Sequence, residues 1–275
     1  MYLQCGNHRL ALARPLIMGV VNVTPDSFSD GGHFASGASA AAHARMLVGE
    51  GADIIDIGGE STRPGAAEVT LEEERRRVLP VLELLSDIGV PISVDTRKPQ
   101  LMREAIAAGA AMINDVEALQ SPAAMTAVAE SRVAVCLMHM RGTPADMQRA
   151  PVYDDVVGEV AGFLAQRIDA ACAAGIARER IVVDPGFGFG KSLAHNLSLL
   201  RHLREAAPDG IALLAGLSRK SMLGKITGRD TGGRIFASVA SALIAAQNGA
   251  HILRVHDVAA TRDALAILNA VNDAD

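Results

Sequence analysis

Eight short polar clusters punctuate this sequence, and each gathers residue types that bind or react. The first four are Asn22-Val23-Thr24-Pro25-Asp26-Ser27-Phe28, Asp56 with Gly58-Gly59-Glu60-Ser61-Thr62-Arg63-Pro64-Gly65, Asp95-Thr96-Arg97, and Asn114-Asp115. The others are His139-Met140-Arg141-Gly142, Asp184-Pro185-Gly186-Phe187-Gly188-Phe189-Gly190-Lys191, Ser218-Arg219-Lys220-Ser221 and Arg254-Val255-His256-Asp257. A single Asp or Asn of this kind is ordinary turn or helix-cap chemistry. Together they supply carboxylates that accept from N–H donors, amides that both donate and accept, and cations that suit an anionic ligand. No Ser-His-Asp triad is read. Cys5, Cys136 and Cys172 are too few and too scattered for a disulfide framework or a zinc site. Cys136 lies inside an apolar run and reads as a packed thiol.

Placing these clusters on one surface requires a repeating scaffold, and the chain between them supplies one. Short aliphatic runs alternate with longer Ala-, Leu-, Glu- and Arg-rich segments of helical period, as in βα units around a parallel sheet. Strands are expected at Leu16–Val21, Asp53–Ile57, Pro91–Val94, Ala111–Ile113, Val133–Leu137, Ile181–Val183, Ala212–Ala215 and His251–Arg254. Helices are expected at Leu71–Ser86, Gln100–Ala108, Val156–Ala174, Leu193–Ala206 and Phe236–Asn248, several ending in a glycine suited to a left-handed cap, at Gly51, Gly109, Gly175 and Gly249. Eight such units make a (β/α)8 TIM barrel, and about 250 residues is its usual size, so residues 1–275 read as a single domain. Every polar cluster then follows a strand, at the rim where barrels of this kind carry their chemistry. The acidic and basic run Glu72-Glu73-Glu74-Arg75-Arg76-Arg77 reads as a solvated helix face with opposite charges at i,i+3 and i,i+4.

Composition narrows the function classes. With 49% hydrophobic residues the chain can bury a large core. Its 26 Lys and Arg against 31 Asp and Glu give a net charge of -5, leaving no basic surplus for nucleic acid or anionic lipid. The amino end has no continuous apolar stretch of signal-peptide type. The most apolar later stretch, from Ala237 to Leu253, is interrupted by Gln247, Asn248 and His251 and does not read as a membrane span. A cytoplasmic protein is expected.

The segments MGVVNVTPDSFSDGG, DIIDIGGESTRPGA, ISVDTRKP, IND, DPGFGFGK, GLSRKS and RVHDV, in this order from Met18 to Val258, resemble the signature of the dihydropteroate synthases. The resemblance implies a barrel that condenses (7,8-dihydropterin-6-yl)methyl diphosphate with para-aminobenzoate, releasing pyrophosphate and 7,8-dihydropteroate for folate synthesis. It also implies a homodimer and competitive inhibition by sulfonamides. Three departures stand out: Arg97 where a small residue is expected, Glu117 where a basic one is common, and Ala237-Ser238 for a more usual Gly-Ser.

Carried onto this chain, the resemblance places Asp184, Asn114 and Lys220 on the pterin: a carboxylate facing N–H donors, an amide doing both, and an amine for the carbonyl and ring nitrogen. Asp95, with Asp56, is the carboxylate that would stabilise a methylene cation after diphosphate leaves. Arg254 and His256, on alternate residues past the last strand, would face the leaving group, with Arg63 as a further cation. Asn22 offers a hard oxygen for Mg2+, which binds through few protein groups plus phosphate. Ser218 would take the para-aminobenzoate carboxylate, and Phe28, Pro64, Phe189 and Thr62 would wall its ring. Phe187 and Phe189 read equally well as core.

Three rivals remain at this stage. Lys220 would be a Schiff-base nucleophile in an aldolase-like barrel. A pterin-binding methyl-transfer barrel would share the Asp and Asn floor but has no need of the Ser218-Arg219-Lys220 and Arg254-Val255-His256 segments. A non-catalytic paralogue acting as a binding partner would not need Asn22, Asp95, Lys220, Arg254 and His256 together.

Overall fold

Each barrel strand is apolar on both faces because it is covered on both. In a computed structural model, which describes residues 1–24, 32–61, 68–143, 147 and 151–274 (backbone alone for 32–36), eight parallel strands close on themselves. They are β3 (Leu16–Asn22), β4 (Ile54–Gly58), β5 (Ile92–Asp95), β6 (Met112–Asp115), β7 (Ala134–Met138), β8 (Ile181–Asp184), β9 (Ala212–Ala215) and β10 (Ile252–Val255), with β10 pairing β3 to complete the ring. Ile17, Val21, Ile55, Ile57, Val94, Val135, Val183 and Leu253 face outward into the helix shell. Their neighbours Leu16, Met18, Ile54, Met112, Ala134, Cys136, Val182, Leu214 and Ile252 fill the interior. Such two-sided burial explains the near-continuous Val/Ile/Leu runs that mark the strands in the sequence.

Around the ring run α1 (Gly32–Gly49), α2 (Leu71–Leu84), α3 (Pro99–Ala107), α4 (Pro122–Ala129), α5 (Val156–Ala173), α6 (Leu193–Arg201), α7 (Ser221–Thr227), α8 (Ile235–Gln247) and α9 (Val258–Asn272). The glycines at 51, 109, 175 and 249 are left-handed, at φ of 99°, 101°, 92° and 99°, where a side chain would be strained. The expected helix Leu193–Ala206 is broken at His202, after which residues 203–206 form a tighter 3-10 turn.

Two further features depart from the sequence reading. An antiparallel hairpin, β1 (Tyr2–Cys5) and β2 (His8–Ala11), precedes the barrel and seals its amino-terminal end with Leu3 and Cys5, joined by Leu12 just after it. Its two-residue turn is Gly6-Asn7, with Gly6 at φ 57°, a dipeptide that favours hairpins. Strands of four residues with polar partners were too short to stand out. The other correction concerns the charge run on α2. Glu74 is fully buried, and its Oε2 accepts from Lys98 Nζ at 2.6 Å. Six consecutive residues wrap more than a full helical turn, so one must face inward, and Glu74 shares the face of buried Val78, Val81 and Leu82. Arg77 likewise turns in, donating to the Gly59 carbonyl at 2.7 Å.

Candidate active site

The strand alternation that fills the lower barrel with aliphatic side chains continues upward into polar ones. Two residues beyond Ile54, Met112, Val182 and Ile252 on the same inward face stand Asp56, Asn114, Asp184 and Arg254. Arg254 bridges two carboxylates: Nε donates to Asp56 Oδ2 at 2.7 Å and Nη2 to Asp95 Oδ2 at 2.9 Å. Asn114 Nδ2 donates to the same Asp56 oxygen at 3.2 Å. Burial works against the Arg254 charge, but Asp56 and Asp95 more than offset it and raise its pKa.

Two carboxylates share this one guanidinium, and Asp95 shows the strain of it. Burial, reinforced by Asp56, Glu74 and Asp115, pushes its pKa up to about 7 against the opposing pull of Arg254. Asp56 Oδ1 and Ser93 Oγ, on residues paired across β4 and β5, have no hydrogen-bond partner among the described residues.

The second wall is built on the loop after β8. Asp184 Oδ1 accepts from the Gly186 N–H at 2.7 Å, and burial raises its pKa despite Lys220 and that N–H. The loop holds Gly186, Gly188 and Gly190 at φ of 69°, 81° and 63°. A Cβ on Gly186 would collide with the His139 carbonyl, and one on Gly190 with that of Arg141, so glycine is required for this loop to lie against β7. Phe187 is core, settling one of the two aromatic readings, whereas Phe189 is only half-buried and its ring lies 4.7 Å from Lys220 Nζ. Lys220 donates to the Phe187 carbonyl. Burial, aided by Arg254, lowers its pKa to about 8 against the pull of Asp184 and Asp95, so the two walls act within one electrostatic cleft.

At the rim, Ser218 Oγ accepts from the His256 backbone N–H at 3.2 Å and lies 3.0 Å from its Nδ1. Asn22 pairs with Gly58 in register, and its Oδ1 and Asp95 Oδ2 come within 4.0 and 3.9 Å of the point where a Gly58 Cβ would stand. Phe28, Thr62, Arg63 and Pro64 lie outside the described residues.

Several residues of the polar clusters carry no role in the sequence reading but have definite partners in the structure. Arg219, left-handed at φ 58°, pairs with Asp257 at 2.5 and 3.2 Å, and its N–H donates to Ser238 Oγ at 3.0 Å. Lys191, the last residue of a glycine-rich motif, is buried against His139. The two unexpected residues at the rim answer one another: Arg97 Nη1 donates to Glu117 Oε1 at 3.2 Å.

Comparison with known proteins agrees with this architecture. Residues 18–256 match the family described as pterin binding enzyme. The dihydropteroate synthase of Escherichia coli K12 is 51% identical over 95% of this chain and 93% of its own length. A crystal structure of the Xanthomonas albilineans dihydropteroate synthase with 4-aminobenzoic acid superposes with a TM-score of 0.94 at 56% identity, covering 100% of this chain and 99% of that one. The same enzyme with 7,8-dihydropteroate gives 0.91 at 53% identity, covering 100% of both chains. The Yersinia pestis dihydropteroate synthase in a sulfonamide drug complex gives 0.94 at 49% identity, also covering 100% of both.

Proposed function

The chain belongs to the dihydropteroate synthases, a family of pterin-binding enzymes, and from that premise we propose the role of each residue at the barrel mouth. The enzyme is a transferase that condenses (7,8-dihydropterin-6-yl)methyl diphosphate with para-aminobenzoate, giving 7,8-dihydropteroate and pyrophosphate. The observation that carries the assignments is the convergence of Asp95, Asn114, Asp184 and Lys220 on one cleft.

In this reading Asp184 accepts from the pterin N–H edge, Asn114 donates and accepts beside it, and Lys220 donates to the pterin carbonyl and ring nitrogen. Asp95, set by Asp56 and Arg254, faces the methylene carbon and stabilises the cation left when diphosphate departs. Arg254 Nη1 takes part in neither carboxylate bond and, with His256 and Arg63, faces the leaving group. The arylamine lone pair then attacks the methylene, and the ammonium product loses its proton. Ser218 holds the para-aminobenzoate carboxylate. Phe28, Pro64, Phe189 and Thr62 wall the ring that sulfonamides compete for.

No group of three or more His, Cys, Asp or Glu able to hold a metal occurs among the described residues. Asn22 Oδ1, which faces the mouth beside Gly58, is a hard oxygen that would suit a Mg2+ held by few protein groups together with phosphate. When bound, Mg2+ would neutralise leaving-group charge. Among the described residues no helix is long and apolar enough to cross a membrane, and a cytoplasmic location is proposed. A homodimer is proposed through neighbouring helices α7, α8 and α9, which expose Ile226, Phe236, Ile244, Ile267 and Val271, Phe236 at 82%.

The test is turnover of the purified chain with pterin diphosphate, para-aminobenzoate and Mg2+, followed by pyrophosphate release and by the appearance of dihydropteroate. Pyrophosphate release without the conjugate would overturn the assignment of the arylamine site. Full turnover in excess chelator would remove the metal.

A further inference from the structure

Lys191 ends the β8–α6 loop and is only 2% exposed, yet among the described residues its amine makes no hydrogen bond to a carboxylate. It is surrounded instead by acceptors from two loops. Nζ lies 2.9 Å from His139 Nδ1 and donates to the carbonyls of Gly186 at 2.9 Å and Phe189 at 3.0 Å, with a longer bond to the His139 carbonyl at 3.3 Å. Burial, aided by Lys220 and Arg141, lowers its pKa to about 7 against the pull of Asp184, so holding this amine inside costs folding energy that its hydrogen bonds must offset.

What these bonds fix is the segment 186–189. Its glycines impose no conformation of their own, and the Lys191 amine ties the carbonyls on either side of Phe187. Asn196 completes the hold, accepting from Gly188 N–H at 2.7 Å and donating to the Lys191 carbonyl at 3.2 Å. The pinned segment presents two groups to Lys220: the Phe187 carbonyl that accepts from it and the Phe189 ring beside it. His139 is suited to its part. Its ring packs edge-on against Phe163 at 5.0 Å, and burial, with Lys191 and Arg141 beside it, lowers its pKa to about 3, so the ring is neutral and in its Nε2–H tautomer accepts at Nδ1.

We propose that Lys191 is a positioning residue for the pterin site: through the carbonyls of Gly186 and Phe189 it fixes the loop that holds Lys220 in its binding position. The inference rests on the assignment of Lys220 to the pterin. Its consequence is that Lys191 acts on pterin affinity chiefly through Lys220, and does not matter for pyrophosphate, which binds on the β10 side of the mouth.

The experiment is calorimetric titration of the full chain with 6-hydroxymethyl-7,8-dihydropterin and, separately, with pyrophosphate and Mg2+. Lys220→Met should weaken the pterin about tenfold or more. Lys191→Gln should weaken it about fivefold while changing pyrophosphate affinity less than about twofold, and should add less than about twofold in the Lys220→Met background. Unchanged pterin affinity in Lys220→Met would overturn the pterin assignment itself. If that variant binds weakly, three results overturn the role of Lys191: an unaffected Lys191→Gln, equal losses for pterin and pyrophosphate, or full additivity with Lys220→Met. Should Lys191→Gln not fold, His139→Phe decides: it keeps a ring against Phe163 but removes Nδ1. A pterin-selective loss of about twofold supports the positioning role, and an unchanged affinity overturns it.

Discussion

The two ends of the same barrel put opposite demands on the same strands. At the amino-terminal end the interior is Leu16, Ile54, Met112, Ala134, Leu214 and Ile252, closed from below by Leu3 and Cys5 of the hairpin and by Leu12 just after it. Two residues further along, roughly 6.6 Å at strand rise, the inward positions become Asp56, Asn114, Asp184 and Arg254. One layer gives stability through burial alone, and the next carries charge that burial makes expensive. The lower layer lets the upper one exist, because it supplies the surplus stability against which buried carboxylates are held.

Strand β10 carries both layers and offers the largest test of this contrast. Arg254→Met leaves Asp56 and Asp95 buried without their shared cation, so unfolding stability at pH 8 should fall by about 3–5 kcal/mol and turnover by about a thousandfold. The sign of the pH dependence follows from Asp95: its folded pKa, raised to about 7 above the unfolded value of ~4, costs stability wherever the unfolded group is ionised, and the cost grows without Arg254. The deficit should therefore shrink as pH falls from 8 toward 5 in urea titrations. A deficit constant with pH would mean that lost packing, and not stranded charge, is responsible.

Two positions earlier, Ile252→Ala removes buried aliphatic volume from the lower layer. It should cost about 3 kcal/mol of stability while kcat/KM at a temperature well below the transition stays within about twofold. A catalytic loss comparable with that of Arg254→Met would show that the two layers are not separable.

How far this division was legible follows from its causes. The barrel strands could be placed to within a residue or so, because two-sided burial writes itself into short aliphatic runs, and left-handed glycines mark the ends of α1, α3, α5 and α8. The hairpin was missed because its four-residue strands alternate with polar side chains such as Gln4 and Arg9. The polar clusters were visible as candidates, but their pairing was not: Asp56 and Arg254 are 198 residues apart, and only barrel closure brings β10 beside β3, one strand from β4. Lys191 looked like the tail of a glycine motif, and nothing local shows that its amine turns inward onto His139. Glu74, like Arg77, lies inside a charge run whose remaining members face solvent or surface partners, so neither stands out from its neighbours.

A finer test acts on ionisation within the upper layer. Asp95 titrates at about 7 because burial and then the nearby acids, Asp56 foremost, oppose its charge. Cation stabilisation needs the ionised form, so kcat/KM should fall as pH drops through about 7, and again above about 8 as Lys220 loses its proton. Asp56→Asn removes a like charge and leaves Arg254 to Asp95 alone; both effects lower the Asp95 pKa, and the acid limb should move down by about one unit. An acid limb that stays in place would assign it to another group.

The smallest effect is expected where the polar chemistry reaches solvent. Arg97 and Glu117, unusual residues that pair with one another at 3.2 Å, sit at the rim with side chains 28% and 36% exposed. Arg97 also meets Glu68 at 2.6 Å and Glu60 at 3.7 Å, so Glu117 is one of three acceptors and its removal leaves the guanidinium partnered. Water and salt screen such a pair, and ordering two long side chains offsets much of its attraction. A double-mutant cycle of Arg97→Ala, Glu117→Ala and the combined variant should give a coupling of about 0.2–1 kcal/mol, smaller at high salt. Turnover should stay within about twofold in each variant, since neither residue belongs to the Asp56, Asp95 and Arg254 network beneath. A coupling above about 2 kcal/mol that persists at high salt would mean that the rim pair is desolvated in use, and that the boundary between the charged layer and the solvated rim lies further out than these exposures place it.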